Sequence, residues 1–362
     1  MDTPKCSSDS YVIVGAGVFG ASVAYHLITR YPSADVNKVV RADYTNILYM
    51  ELALEAMEYW RSDDLYSADY HQSGLAWVSD KALPRAIIEN YKKLNATEKY
   101  HLLTPDDSRA RWGGAYSSAD YPNGTEVFFN EGSGWVDATK TLTRVIQAAV
   151  KAGVRYVTTD VEEVVFGADG STTGVRTSEG DVLANHVILA TGAYTPKLLM
   201  DSAPNRSRLY PRELINAGGV IPPNSENRIK FYRDVSFNNT IRHEVTGKNI
   251  SIPPSRADYD QWNLSSGMKE EVRQTCKGIY GNASDTWELK DYRVCWDAIT
   301  PSQDPIICEH PLWKFLPVIG KYVAQMIKGT LDVELAKTWA WDRDDKGSAH
   351  EGLLPHREMR DV

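Results

Sequence analysis

Short apolar runs, each closed by turn residues, set the rhythm of this chain, and the first is the clearest. Tyr11 to Val14 is an apolar strand, GAGVFG follows it at once, and ASVAYHL continues with helix-compatible residues. Farther on, Ile47 to Arg61 (ILYMELALEAMEYWR) repeats its apolar positions at helical spacing and predicts a packed helix. A second helix is predicted from Ala138 to Ala152, ended by Gly153. Strands are predicted near Arg155–Thr158, Val161–Phe166, Gly174–Thr177 and Val187–Leu189, with ADGS and SEGD as turns between them. The stretch His71 to Asn130 mixes apolar runs with TPDDS and YPNG, which suits an irregular sheet region. Alternation resumes from Arg212 to Tyr292 around a polar helical stretch at Met268–Tyr280, and Val318 to Leu335 is again helical in period. The last residues, GSAHEGLLPHREMRDV, read as an exposed extension.

The strand–glycine–helix unit at Tyr11–Leu27 has the form of a dinucleotide pyrophosphate site. Gly15 permits the tight turn, Gly17 lets backbone N–H groups approach phosphate, and Gly20 lets the helix pack closely on the strand. The helix start supplies the positive end of its dipole. Such a unit calls for a second strand ending in an acidic residue that holds the ribose. Between Gly20 and Tyr44 only Val36–Val40 has strand character, with Asp43 at a tolerable spacing beyond it. A second apolar strand runs into Ala190, Thr191 and Gly192, and two glycine turns of this kind favour a large dinucleotide.

Composition narrows the classes. The chain has 362 residues and a net charge of −8, with basic residues scattered rather than striped, so nucleic acid is excluded as a partner. No apolar run approaches the roughly 20 residues that cross a bilayer, so no membrane role is expected. MDTPKCSSDS lacks a signal pattern and Asp361–Val362 is not an SKL-type ending, which leaves the cytoplasm as the expected site over the peroxisome. Cys6, Cys276, Cys295 and Cys308 have no metal-ligand spacing, and no metal is expected.

Taken in order, GAGVFG, DVNKVVRADY, the strand ending ATGAY, CWDAITPSQDPIICEHP and WKFLPVIGKYV resemble the flavin-dependent amine oxidases. That family includes the sarcosine, pipecolate, saccharopine and fructosyl amino acid oxidases, and the similarity covers most of the chain, nearest the fungal fructosyl amino acid and saccharopine branch. The resemblance implies an α/β (α+β) fold: a glutathione-reductase-like, D-amino-acid-oxidase type FAD domain of Rossmann-like form, with an antiparallel-sheet substrate domain. Residues 1–70, 132–205 and 290–345 would form the FAD domain, 71–131 and 206–289 the substrate domain, and 346–362 the extension.

By the same resemblance FAD lies on Gly15, Ala16, Gly17, Val18, Phe19 and Gly20, with further contacts from Val161 and from Ala190, Thr191 and Gly192. Cys295 is similar to the family cysteine bonded to the flavin 8α carbon, and Arg293 stands near enough in sequence to favour its thiolate. A buried, inert cysteine is the other reading. Arg41 and Lys314 look like the pair that holds the substrate carboxylate, and Lys38 like the cation beside the flavin. The implied reaction removes a hydride equivalent from the carbon next to a secondary amine. Water hydrolyses the imine, and O2 is reduced to hydrogen peroxide.

Two segments of the family pattern are missing from the FAD domain. ITRYPSA runs directly into DVNK where relatives have a strand ending in the ribose-binding acid, and His310–Pro311 runs into Leu312–Lys314 where relatives have a strand and a glycine-rich turn. A truncated, non-catalytic paralogue therefore stays open as an alternative. An NAD(P)-dependent dehydrogenase also stays open, although it leaves Cys295 and Lys314 without roles. The substrate amine and the oligomeric state are not legible.

Overall fold

The structure is a computed structural model that describes residues 10–27, 37–79, 82–168, 171–202, 217–223, 228–234, 236–255, 260–295, 316–340 and 356–361. The chain opens with β1 (Tyr11–Val14), α1 (Val18–Leu27), β2 (Lys38–Val40) and α2 (Ile47–Ser62). Asn46 starts α2 by accepting from the amides of Leu48 and Tyr49, groups that lack partners inside a helix. Next come α3 (Asp64–Ser67), β3 (Tyr70–His71), β4 (Leu75–Ser79), α4 (Ala82–Lys93), β5 (Tyr100–Leu103), α5 (Pro105–Ala110), β6 (Glu126–Asn130) and β7 (Gly134–Val136). The predicted second helix is α6 (Ala138–Lys151), capped by Asp137 and followed by Gly153 at φ +106°. Four strands follow, β8 (Val161–Phe166), β9 (Thr172–Thr177), β10 (Gly180–Leu183) and β11 (His186–Leu189), and then α7 (Thr195–Ser202). The remaining elements are β12 (Ala217–Ile221), β13 (Lys230–Asp234), β14 (Ser236–Asn238), β15 (Thr240–Arg242), β16 (Asn249–Ser251), α8 (Ser266–Tyr280), α9 (Leu316–Ile327), α10 (Val333–Thr338) and β17 (His356–Glu358).

β1 pairs in parallel with β11, from Tyr11 opposite His186 to Val14 opposite Leu189, and among the described residues it pairs with nothing else. The antiparallel set β8–β9–β10 packs by Val164 and Val175 against Val14 and Leu189. On the other side α1, α2, α6 and α9 bring Phe19, Val23, Met50, Val145 and Ile319 into the main core. The Ser22 hydroxyl accepts from the Gly320 amide at 2.9 Å, so the late helix α9 is keyed to the first. Lys321 and Tyr322 of α9 reach Glu55 of α2, each at 2.6 Å.

Four sequence expectations change. Lys38–Val40 is a strand, but it pairs antiparallel with β7 and not beside β1. Arg155–Thr158 forms no strand; Tyr156 and Val157 stand 49% and 40% exposed, because apolar alternation alone supplies no ladder partner. The tail does not end as a free extension: β17 pairs in parallel with β14, Glu358 accepts from the Thr240 hydroxyl at 2.6 Å, and Met359 is buried. The single helical period read from Val318 to Leu335 divides into α9 and α10, with Gly329 at φ +67° between them.

Two further polar contacts tie separate elements. Arg144 of α6 grips the buried Asp69 with two N–H groups, at 2.6 and 3.0 Å. His243 joins the β15–β16 hairpin to Asp201 of α7 at 2.9 Å, and Lys197 reaches the same carboxylate. Burial by itself raises the Asp201 carboxyl, but the hydrogen bonds from Lys197 and His243 outweigh it and hold the group below its ordinary value. A carboxyl depressed in the folded state stabilises above its unfolded pKa, about 3.9, and the gain is lost as pH falls through the folded value. Urea melts taken from pH 6 to pH 3 are therefore expected to show a shallower acid loss for Asp201→Asn than for the unaltered chain. Equal slopes would remove this contact from the acid response.

Candidate cofactor and substrate site

The three glycines of the turn meet different surroundings. At Gly15, with φ +100°, an added Cβ would lie 2.4 Å from the Ala190 carbonyl oxygen; at Gly20 it would lie 1.9 Å from the Gly15 oxygen. Both positions need glycine, one for conformation and both for close approach. At Gly17 an added Cβ meets nothing within 4 Å, so the turn opens here toward solvent. The Gly17 carbonyl accepts from Ala21 at 3.1 Å, placing it at the start of α1. Glycine has no side chain to cap the first amides of that helix, and the first turn carries no acidic residue. The positive end of a helix that begins at a glycine turn fits a diphosphate. Ala16 and Val18 are half-buried at this turn, whereas Phe19 points into the core, so only its backbone faces the turn.

β11 extends the same wall. The Ala190 amide donates to the Val14 carbonyl at 2.7 Å, which sets Ala190 and Thr191 against Gly15 and Gly20. Gly192 follows at φ +54° with open space beyond it, and the Thr191 and Thr195 hydroxyls bond at 2.8 Å at the start of α7. Val161, at the head of β8, packs with Val14 and Leu189 in the apolar cluster beneath.

Asp43 is not a ribose ligand. It is buried, and four neutral donors saturate it: Tyr91 at 2.8 Å and Asn130 at 2.7 Å on Oδ1, Ser133 at 3.1 Å and the Trp77 indole at 3.3 Å on Oδ2. Burial, with the charge of Asp43 beside it, pushes the Tyr91 phenol far above its usual range and keeps it a donor. The strand leading into Asp43 belongs to the β7 sheet, which removes the residue from the end of β1 where a ribose carboxylate is needed.

The Arg41 guanidinium carbon lies over two aromatic rings, 4.1 Å from the Tyr44 centroid and 4.6 Å from that of Trp77. Contacts of this kind contribute ~0.5–2 kcal/mol each. Its Nη1 donates to the Asp43 carbonyl, and among the described residues no carboxylate pairs with it. Nothing in the sequence marks Tyr44 or Trp77, since Trp77 sits in LAWVS as an ordinary alternating strand residue.

Lys38 is half-buried on β2 opposite Val136. Cys295 is an exposed free thiol, not the buried inert cysteine that was its other reading. Arg293 lies over the Trp262 ring at 5.4 Å. Lys314 lies outside the described residues, as do Cys6 and Cys308. Among the described residues no cluster suited to a metal ion occurs, and no helix is long and apolar enough to cross a membrane.

A strand–glycine–helix cradle backed by a parallel partner strand defines a dinucleotide-binding α/β protein. A family model described as DAO, FAD dependent oxidoreductase, matches residues 10–326, and the chain belongs to that family. The L-saccharopine oxidase of Schizosaccharomyces pombe is 24% identical, across 94% of this chain and 95% of the relative; the match spans 416 positions, more than this chain contains. An amino acid oxidase of Aspergillus flavus, imqH, is also 24% identical, across 90% and 93%. Among solved structures, a thermally stable mutant of fructosyl peptide oxidase superposes with a TM-score of 0.79 at 22% identity over 98% of both chains. The fructosamine oxidase Amadoriase II of Aspergillus fumigatus gives 0.78 at 21% identity, over 98% and 96%. These likenesses establish the fold.

Proposed function

We propose that the protein is an FAD-dependent oxidase of a secondary amine or N-substituted amino acid, and the observation that carries this is the open Gly15–Gly17–Gly20 turn set against Ala190–Thr191. Its amides hold the diphosphate of FAD. Bound FAD supplies the hydride acceptor, and O2 takes the electrons onward as hydrogen peroxide. The chain's own residues bind and orient. Arg41 presents a planar cation, its neighbouring Asp43 already saturated, to the substrate carboxylate, and Lys314 adds a second charge there. Lys38 brings a positive charge that favours negative charge gathering during O2 reduction. The exposed Cys295 thiol is free to form the covalent link to the flavin. The named activities of the relatives, on saccharopine, amino acids and fructosyl amines, supply the substrate class.

The longer span of the S. pombe match supports the reading that segments of the FAD domain are absent. Acid precipitation of the purified protein tests the cofactor reading directly. Flavin in the pellet, lost in Cys295→Ser, is expected; flavin in the supernatant would remove the covalent link, and colourless protein would remove the FAD reading. Peroxide release with sarcosine, pipecolate, saccharopine or a fructosyl amino acid then tests the reaction. Release only with an amine lacking a carboxylate would strike out the roles of Arg41 and Lys314.

A further inference from the structure

We infer that Tyr44 and Trp77 are positioning residues that fix Arg41 for the substrate carboxylate, through Asp43, an inference that rests on the substrate role given to Arg41 above. The two rings cover the guanidinium, at 4.1 and 4.6 Å. Two ring contacts and one backbone hydrogen bond restrict where the side chain can move, while a guanidinium keeps further N–H groups for a carboxylate.

Asp43 holds both parts of this arrangement with different atoms. Its backbone carbonyl accepts from Arg41 Nη1, while its carboxylate accepts from the Trp77 indole. The remaining capacity of that carboxylate goes to Tyr91, Asn130 and Ser133, which are all uncharged donors. A buried anion two residues from an arginine would ordinarily form the ion pair and spend the cation. Here neutral donors occupy it, and the charge of Arg41 stays available for a ligand. The rings also fix the side chain before binding, so less conformational freedom is lost when a carboxylate arrives.

Sequence order strengthens the assignment. Arg41, Asp43 and Tyr44 lie on one short segment after β2, whereas Trp77 comes from β4, on the sheet of β4, β5 and β6. The segment supplies one ring against the guanidinium, and the sheet supplies the other.

The test uses the flavin-loaded enzyme and the carboxylate substrate from the panel above that is turned over fastest. Trp77→Leu is expected to raise KM about tenfold with kcat within about twofold, the mark of lost ground-state binding. Trp77→Phe, which keeps a ring face but not the indole donor, is expected to return KM to within about threefold of the original. A purely structural role would lower the melting temperature and flavin content without that rescue. Where Trp77→Leu does not fold, Tyr44→Leu makes the same test from the other face. If Arg41→Lys raises KM but neither ring variant does, the positioning role is overturned and the role of Arg41 stands. If Arg41→Lys leaves KM unchanged, the substrate role falls and the inference with it.

Discussion

Gly20→Ala is expected to lose both stability and flavin, whereas Gly17→Ala loses flavin alone. The added methyl at Gly20 would sit 1.9 Å from the Gly15 oxygen and 3.1 Å from the Ala190 side chain. Neither neighbour is a flexible side-chain end, so α1 must move off β1, and overpacking of this severity costs about 3 kcal/mol or more. A loss of that size lowers Tm by roughly 6–10 °C. At Gly17 the methyl meets nothing within 4 Å. Its only cost falls on a ligand that needs to touch that backbone, and FAD affinity is expected to drop by about tenfold or more with Tm nearly unchanged. Thermal melts and flavin-fluorescence titration of the two variants check both parts. A Gly17→Ala protein that binds FAD normally would show that the phosphates lie elsewhere.

The second large effect is expected at Asp43. Asp43→Ala strands the donors of Tyr91, Asn130, Ser133 and Trp77 in a buried site. Each stranded donor costs ~1–3 kcal/mol, but Ser133 can turn and water can enter, so a total of about 3–5 kcal/mol is expected. Asp43→Asn keeps one acceptor oxygen and is expected to lose about half of that. Urea unfolding measures both. ADP affinity provides a separate comparison: because Asp43 is committed to this network, Asp43→Asn is expected to bind ADP as the unaltered chain does. Weaker ADP binding in that variant would return Asp43 to the ribose.

What the sequence made legible was local. The tight turn at Gly15, the close packing at Gly20, the helix from Ile47 and the stop at Gly153 each follow from a few neighbouring residues, and the structure keeps them. Partner choice was not legible in that way. Lys38–Val40 has the same apolar character beside β7 as it would beside β1, and Asp43 looks the same in sequence whether it meets a ribose or four buried donors. The two rings around Arg41 were missed for a related reason. Trp77 is 36 residues away, on another sheet, and only the folded chain brings it there.

The bond from Gly320 to Ser22 joins residues 298 positions apart, and β1 waits for a partner strand that begins at His186. During synthesis, then, the nucleotide cradle cannot be completed as its residues leave the ribosome. At about 5–20 residues per second, the first helix spends roughly 15–60 seconds without the late helix that covers it. For that interval the apolar face of α1, with Phe19 and Val23, is open to chaperones and to other nascent chains, so the yield of active protein is set partly by how quickly synthesis reaches the late helix.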